Sequence, residues 1–121
     1  MVLRVERTAL QTMTAATDSV TTGKIHGRIL SVKINTSASN SFSIYTSGSV
    51  ITEYLLGSAA VTVASDTAFY PRIIGHLASD GSDLSAADNL YQHMVIDSAV
   101  KIDVASGASD DTWSVEIFYE D

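Results

Sequence analysis

The side chains best equipped for chemistry are three histidines, fourteen carboxylates and a large reserve of serine and threonine hydroxyls. His26, His76 and His93 fall in separate segments, and none forms an HxH or HxxxH pair, so local spacing sets no two of them to ligate one metal ion. The oxygen-rich runs Asp80-Gly81-Ser82-Asp83 and Ser109-Asp110-Asp111 offer hard ligands of the kind calcium takes. Neither has the D-x-D-x-D-G spacing with a distal Glu that a calcium loop requires. Aspartates bonding their own backbone in turns are the plainer account of both runs, with a weak cation site as the alternative. No G-x-S-x-G elbow presents a serine beside an oxyanion hole, and no G-x-x-x-x-G-K-[ST] or G-x-G-x-x-G run is present to cradle phosphate. Cysteine is absent, which removes thiolate nucleophiles, disulfides and Cys-ligated zinc together. No catalytic residue, metal ligand or cofactor is therefore assigned, and the chain reads as something other than an enzyme.

Recognition chemistry is better represented. Tyr70-Pro71-Arg72 combines a rigid backbone with two residue types favoured at interface hot spots; the alternative is an edge-strand entry with an arginine lying along it. Phe118 falls on the polar side of an alternating run, where a loop covers it or a partner does. Trp113 and Tyr119 lie on the opposite side with Val115 and Ile117, which favours a core role over a sugar-stacking one. Arg4, Arg7, Leu10 and Met13 complete the expected protein-contact set, because they lie in residues 1–20, which can be an extended arm lying on a neighbour.

The elements that must position these residues are strands. In 121 residues there is room for one core, and 45% of them are apolar, enough to bury one. Only 17% are charged, and the net charge is −7. Seven basic residues are scattered without a stripe, which disfavours direct contact with nucleic acid or an anionic membrane. Acidic residues thicken from Asp80 onward, suiting a basic protein surface. The N-terminal MVLRVERTALQ lacks a signal-peptide apolar run, and no stretch approaches the ~18 apolar residues of a membrane span.

Alternation with period two recurs along the chain. Leu30, Val32 and Ile34 alternate with Ser31, Lys33 and Asn35, whereas Ile25 and Ile29 are out of phase with Leu30, so a bulge or bend is expected near Gly27 to Ile29. Phe42 and Ile44 alternate with Ser41, Ser43 and Tyr45, and with the preceding strand they read as a hairpin. Val50 to Leu56 reads as strand throughout or as a helical turn at its end. Pro71 marks an edge strand or a strand start. Residues 78–89 form the longest expected loop, and Met94 to Ile96 a short strand. Val100, Ile102 and Val104, then Trp113, Val115, Ile117 and Tyr119, read as a second hairpin across the turn at Ser106–Asp111. Thr8 to Val20 stays open: Leu10 and Met13 have helical spacing, but the threonines weaken a helix, and an extended arm or strand fits as well. The expected fold is all-β, a single-domain antiparallel β-sandwich or jelly-roll-like barrel of about seven or eight short strands, with residues 1–20 as an arm.

The ordered segments GRILSVKINTS, SFSIYTSGSV, AFYPRII and VKIDVASGASDDTWSVEIFYED, cysteine-free and rich in Ser, Thr and Ala, resemble small virion proteins of tailed bacteriophages. That resemblance implies a capsid decoration or cement subunit, assembled in the host cytoplasm into the virion. It also implies binding to the major capsid protein or another virion protein as a homo-oligomer, with a trimer favoured, and residues 2 to 20 as the arm that bridges neighbours. A small head or tail completion component and a carbohydrate- or receptor-binding β-sandwich module are the alternatives. Whatever the partner, Ile102→Asp should unfold the domain, because an unpaired buried carboxylate costs several kcal/mol, comparable to the ~5–15 kcal/mol that holds a domain together. Loss of the cooperative thermal transition would be the readout, and an unchanged melt would place the core face elsewhere.

Overall fold

The computed structural model describes residues 2–74 and 91–121. Its strands are β1 (Leu3–Arg7), β2 (Gln11–Thr12), β3 (Asp18–Thr36), β4 (Asn40–Thr46), β5 (Val61–Val63), β6 (Thr67–Phe69), β7 (Arg72–Ile74), β8 (Tyr91–His93), β9 (Val95–Ala105) and β10 (Thr112–Glu120). No helix occurs among the described residues, and the all-β expectation holds. Eight strands make one antiparallel sheet in the order β1-β10-β3-β9-β4-β5, with β2 also on β10 and β6 also on β3; β7 and β8 form a separate ribbon. The sheet curls into a half-barrel rather than two separate layers. Phe42 of β4 and Trp113 of β10 lie three strands apart in that order, yet their rings meet edge to face at 6.0 Å.

The alternation read from the sequence sets the faces. Phe42 and Ile44, then Val100, Ile102 and Val104, then Trp113, Val115 and Ile117 are all buried inside the curl, with Tyr119 at its margin. Trp113 is fully buried, and its indole N–H donates across the curl to the Asp18 carboxylate at 3.1 Å, so the one polar atom of the largest core side chain is satisfied.

The long strand β3 belongs to both walls. Along Asp18–Arg28 it pairs with β9, and along Arg28–Thr36 with β10. Where it changes partner, Gly27 has φ +146°, and a Cβ there would sit 2.1 Å from the Glu120 carbonyl oxygen. The expected irregularity is present, one step further along. The register with β10 slips between Ser31 and Ile29, so Leu30 is the extra residue. Ile25 and Ile29 stay in the core with Val32 and Ile34, while Leu30 is only half-buried, a correction to its expected core position. A second slip lies between Thr21 and Lys24; the Thr22 hydroxyl accepts from the Val100 amide at 3.1 Å and replaces the bond lost there.

Both expected hairpins are overturned. β4 pairs with β9 and β5, not with β3, and β10 pairs with β3, β1 and β2, not with β9. Alternation determines which face a side chain takes and says nothing of which strand lies alongside; the short turns here arch across the curl. Residues 50–56 form no strand, only a one-residue bridge between Tyr54 and Tyr45. The N-terminal stretch is not an arm standing off the domain: β1 and β2 lie along β10. Met13 is buried against Gly107, where a Cβ would come within 2.8 Å of its sulfur. Its backbone exchanges two 2.8 Å bonds with Asp110 and Asp111. Expected loop 78–89 lies outside the described residues.

Gly27→Ala should lose about 2 kcal/mol or more, since the new methyl meets backbone rather than a movable side chain. Urea denaturation would measure it; a loss under about 0.5 kcal/mol, the usual effect at a neutral surface site, would mean that the two strands can separate there without cost.

Candidate interaction surfaces

β1 is an edge. Its register with β10 sets Leu3 opposite Glu120, Arg4 opposite Tyr119, Val5 opposite Phe118, Glu6 opposite Ile117 and Arg7 opposite Glu116. The Asp121 amide donates to the Val2 carbonyl at 3.2 Å and the Thr8 amide to the Val115 carbonyl at 3.0 Å. By alternation the backbone groups of Val2, Arg4, Glu6 and Thr8 face β10, and those of Leu3, Val5 and Arg7 face away from the sheet. Leu3 and Val5 are 63% and 38% exposed on the outer face. Val5 adjoins Phe118, whose ring carries the Lys33 ammonium 4.7 Å from its centroid. Phe118 is thus half-buried, flanked by β1 on one side and roofed by a cation.

The N-terminal arginines hold the edge strand down. Arg4 donates to Asp121, which holds that carboxyl below its ordinary value and raises the guanidinium above its own. Arg7 pairs with Glu116 at 3.2 Å. Glu6, between them, has no cation partner among the described residues. Leu10 is exposed and Met13 is not, so Met13 leaves the expected contact set: the turn after β9 clasps it inward.

A second apolar feature lies toward the opposite edge, after β4. Val50 is fully exposed and Ile51 73% exposed, on a loop held by hydrogen bonds. The Gly48 amide donates to the Ser98 hydroxyl at 2.8 Å, the Glu53 amide to the Thr46 hydroxyl at 3.0 Å, and the Ser49 hydroxyl to the Ile51 carbonyl at 2.6 Å. The side chains of Thr46 and Ser98 are themselves buried, so the loop is anchored to the sheet. Sequence reasoning missed this pair by reading a strand through it. The available signal was its position directly after the turn run Thr46-Ser47-Gly48-Ser49.

Of the Tyr70-Pro71-Arg72 run, Tyr70 is 65% exposed, Pro71 is buried, and Arg72 donates to the Pro71 carbonyl at 2.7 Å. Pro71 immediately precedes β7, as a strand-start proline should; as a contact residue it is corrected, since its ring is inside. The structure does not gather the expected set into one place: Arg4, Arg7 and Phe118 share the β1–β10 edge, while Tyr70 stands near β7.

Several polar groups are committed to the fold. Tyr45 donates to Asp103 at 2.7 Å, a bond that raises its hydroxyl above the ordinary range, and its ring meets Tyr54 at a 54° tilt, which leaves no flat platform for a sugar. A depression of about 310 Å³ beside β6 contains Asp66, whose oxygens accept from the Thr36 amide and the Asn35 side chain, both at 3.1 Å. Lys24 and His26 share Asp97, each at 3.1 Å, and together, with Lys24 foremost, they lower its pKa. Asp111 caps its own turn by accepting from the Ala108 amide at 3.0 Å. Among the described residues no three His, Asp or Glu side chains gather around a point that could hold a metal; His76 and the Asp80–Asp83 run lie outside them.

Comparison with family models, with curated proteins and with solved structures found no match.

The Arg4–Asp121 contact has a pH signature. Because the folded carboxyl titrates below its ordinary 3.8, the contact contributes fully above that value and is lost as pH falls through the lowered one. Amide exchange should show the Arg4 and Glu6 protection factors falling below that pH before that of Glu116, which by alternation faces β3 opposite Lys33, and Asp121→Asn should reproduce the loosening at neutral pH. Uniform loss of protection along β10 and β1 would contradict it.

Proposed function

We propose that this chain is a non-catalytic structural subunit of a larger protein assembly. In keeping with its resemblance to small tailed-bacteriophage virion proteins, we assign it as a capsid decoration or cement subunit. It binds the major capsid protein, as a homo-oligomer, on the assembled particle.

One observation carries this reading. Of the large apolar side chains exposed among the described residues, Leu3 and Val5 lie on the outer face of β1 with Val2 and Leu10 flanking that strand, and Val50, Ile51 and Tyr54 lie in the segment after β4; Tyr70 precedes β7 and Val95 opens β9. The first two groups lie toward opposite edges of one rigid sheet. Exposed apolar groups gathered in patches mark contact sites, whereas single scattered ones do not. Two such sites let a subunit touch two neighbours at once, and repetition over many equivalent positions multiplies weak contacts into firm attachment. The hydrogen-bonded loop under Val50 and Ile51 holds them ready, so little ordering entropy opposes docking. The acidic balance of −7 suits a basic protein face.

Co-sedimentation of the purified chain with capsids of the phage that carries it is the direct test. Saturable binding is expected, with Val50→Asp/Ile51→Asp weakening it by about tenfold or more at an unchanged melting temperature. A chain that ignores capsids yet binds a glycan array would transfer the assignment to the recognition module.

A further inference from the structure

We infer that β1 pairs with β1 of a second copy of this chain, antiparallel and about a two-fold axis at Val5, so that two curled sheets join through their edges. The inference goes beyond the assembly reading and does not depend on the identity of any capsid. It rests on the sequence Leu3-Arg4-Val5-Glu6-Arg7 and on which of these residues face outward.

The backbone groups of Leu3, Val5 and Arg7 point away from β10 and have no strand beside them among the described residues. An exposed row of this kind is a template for another strand. Against a second β1, three registers keep these residues opposite one another near the centre. With Arg4 on the axis, Arg4 faces its own copy. With Glu6 on the axis, Glu6 faces its own copy. With Val5 on the axis, Leu3 faces Arg7 and Val5 faces Val5, while Arg4 and Glu6 face each other twice, once on each side. Like charges directly opposite destabilise a strand pair and opposite charges stabilise it. Only the Val5 register is therefore complementary, and it supplies Glu6 with a cation, which it has none of among the described residues of the single chain. Arg4 then bridges Asp121 of its own chain and Glu6 of the other copy.

The two faces agree with this register. On the outer face the axis brings two Val5 side chains together, each already beside its Phe118, so Phe118 and Val5 continue into the second copy's Val5 and Phe118 as one apolar stripe. Leu3, 63% exposed in the single chain, gains the aliphatic stem of the second copy's Arg7. Six backbone hydrogen bonds form, two at each of the three facing pairs. A two-fold contact of this type is self-complementary and closed; it gives a dimer in place of the three-fold assembly expected from the sequence, and it leaves Val50 and Ile51, toward the far edge, facing outward on both copies. With a five-residue edge the contact is small, and the dimer should be a reversible one.

Sedimentation velocity over a range of protein and salt concentrations tests this on the whole chain. A monomer–dimer equilibrium weakened by salt is expected. Val5→Pro should abolish it: the Val5 amide does not bond to β10, and proline is tolerated on an edge whose N–H faces solvent, so the melting temperature should hold. Glu6→Arg, which sets arginine against arginine in the Val5 register, should weaken association about tenfold or more and acts at a side chain with no cation partner among the described residues, so it remains informative if the proline variant folds poorly. A monomer at every concentration, a trimer, or a dimer indifferent to both substitutions would each overturn the inference. Because capsid binding is read separately through Val50 and Ile51, failure here leaves that result standing, and the reverse holds too.

Discussion

The fold turns on the close approach of Gly27 to the Glu120 carbonyl. A single strand of 19 residues, β3, serves both walls of the curled sheet, and it can do so only if its backbone comes up against β10 where it leaves β9. With no side chain at position 27 the contact is available; with one, a Cβ would overlap a carbonyl oxygen at 2.1 Å. Everything that meets across the curl follows from that bend, including the Phe42–Trp113 edge-to-face contact and the indole bond to Asp18. The bulge at Leu30 is the accompanying adjustment, which keeps Ile29 and Val32 on the same side of a strand that would otherwise have turned one of them to solvent.

The faces of the strands were legible in the sequence because burial on one side imposes a period of two, and β4, β9 and β10 obey it at every position. Partners were not legible. The turns after β3 and β9, Ser37-Ala38-Ser39 and residues 106–111, are short and made of small and polar residues, as a hairpin turn is, but here they carry the chain across the curl to a strand that pairs elsewhere. Positive φ at Ser106 and Asp110 marks one such turn; nothing in the residue types distinguishes it from a hairpin, since Asp and Ser tolerate turn conformations in either setting.

Where the expected contact residues fall was legible in part. Phe118 was singled out by its place on the polar side of a run and Arg4 and Arg7 by lying on the expected N-terminal arm, and the three lie along one edge. Met13 was misplaced because a single three-residue spacing from Leu10 fixes no face, and its burial depends on the turn 106–111 folding back over it from almost the other end of the chain. Val50 and Ile51 were passed over because two adjacent β-branched residues look like strand interior; only the hydrogen-bonded turn beneath them, formed with Ser98 of a distant strand, turns them outward.

The pairing of β1 with β10 has a consequence for how the molecule comes to exist. Arg4 and Asp121 are 117 positions apart, so the first strand leaves the ribosome long before its partner is made. At ~5–20 residues per second, that is several seconds during which β1 has no ladder and the second half of β3 has only β6 beside it. The curl therefore closes after synthesis of β10 rather than during it, by a long-range search that is slow for any chain dominated by distant pairings.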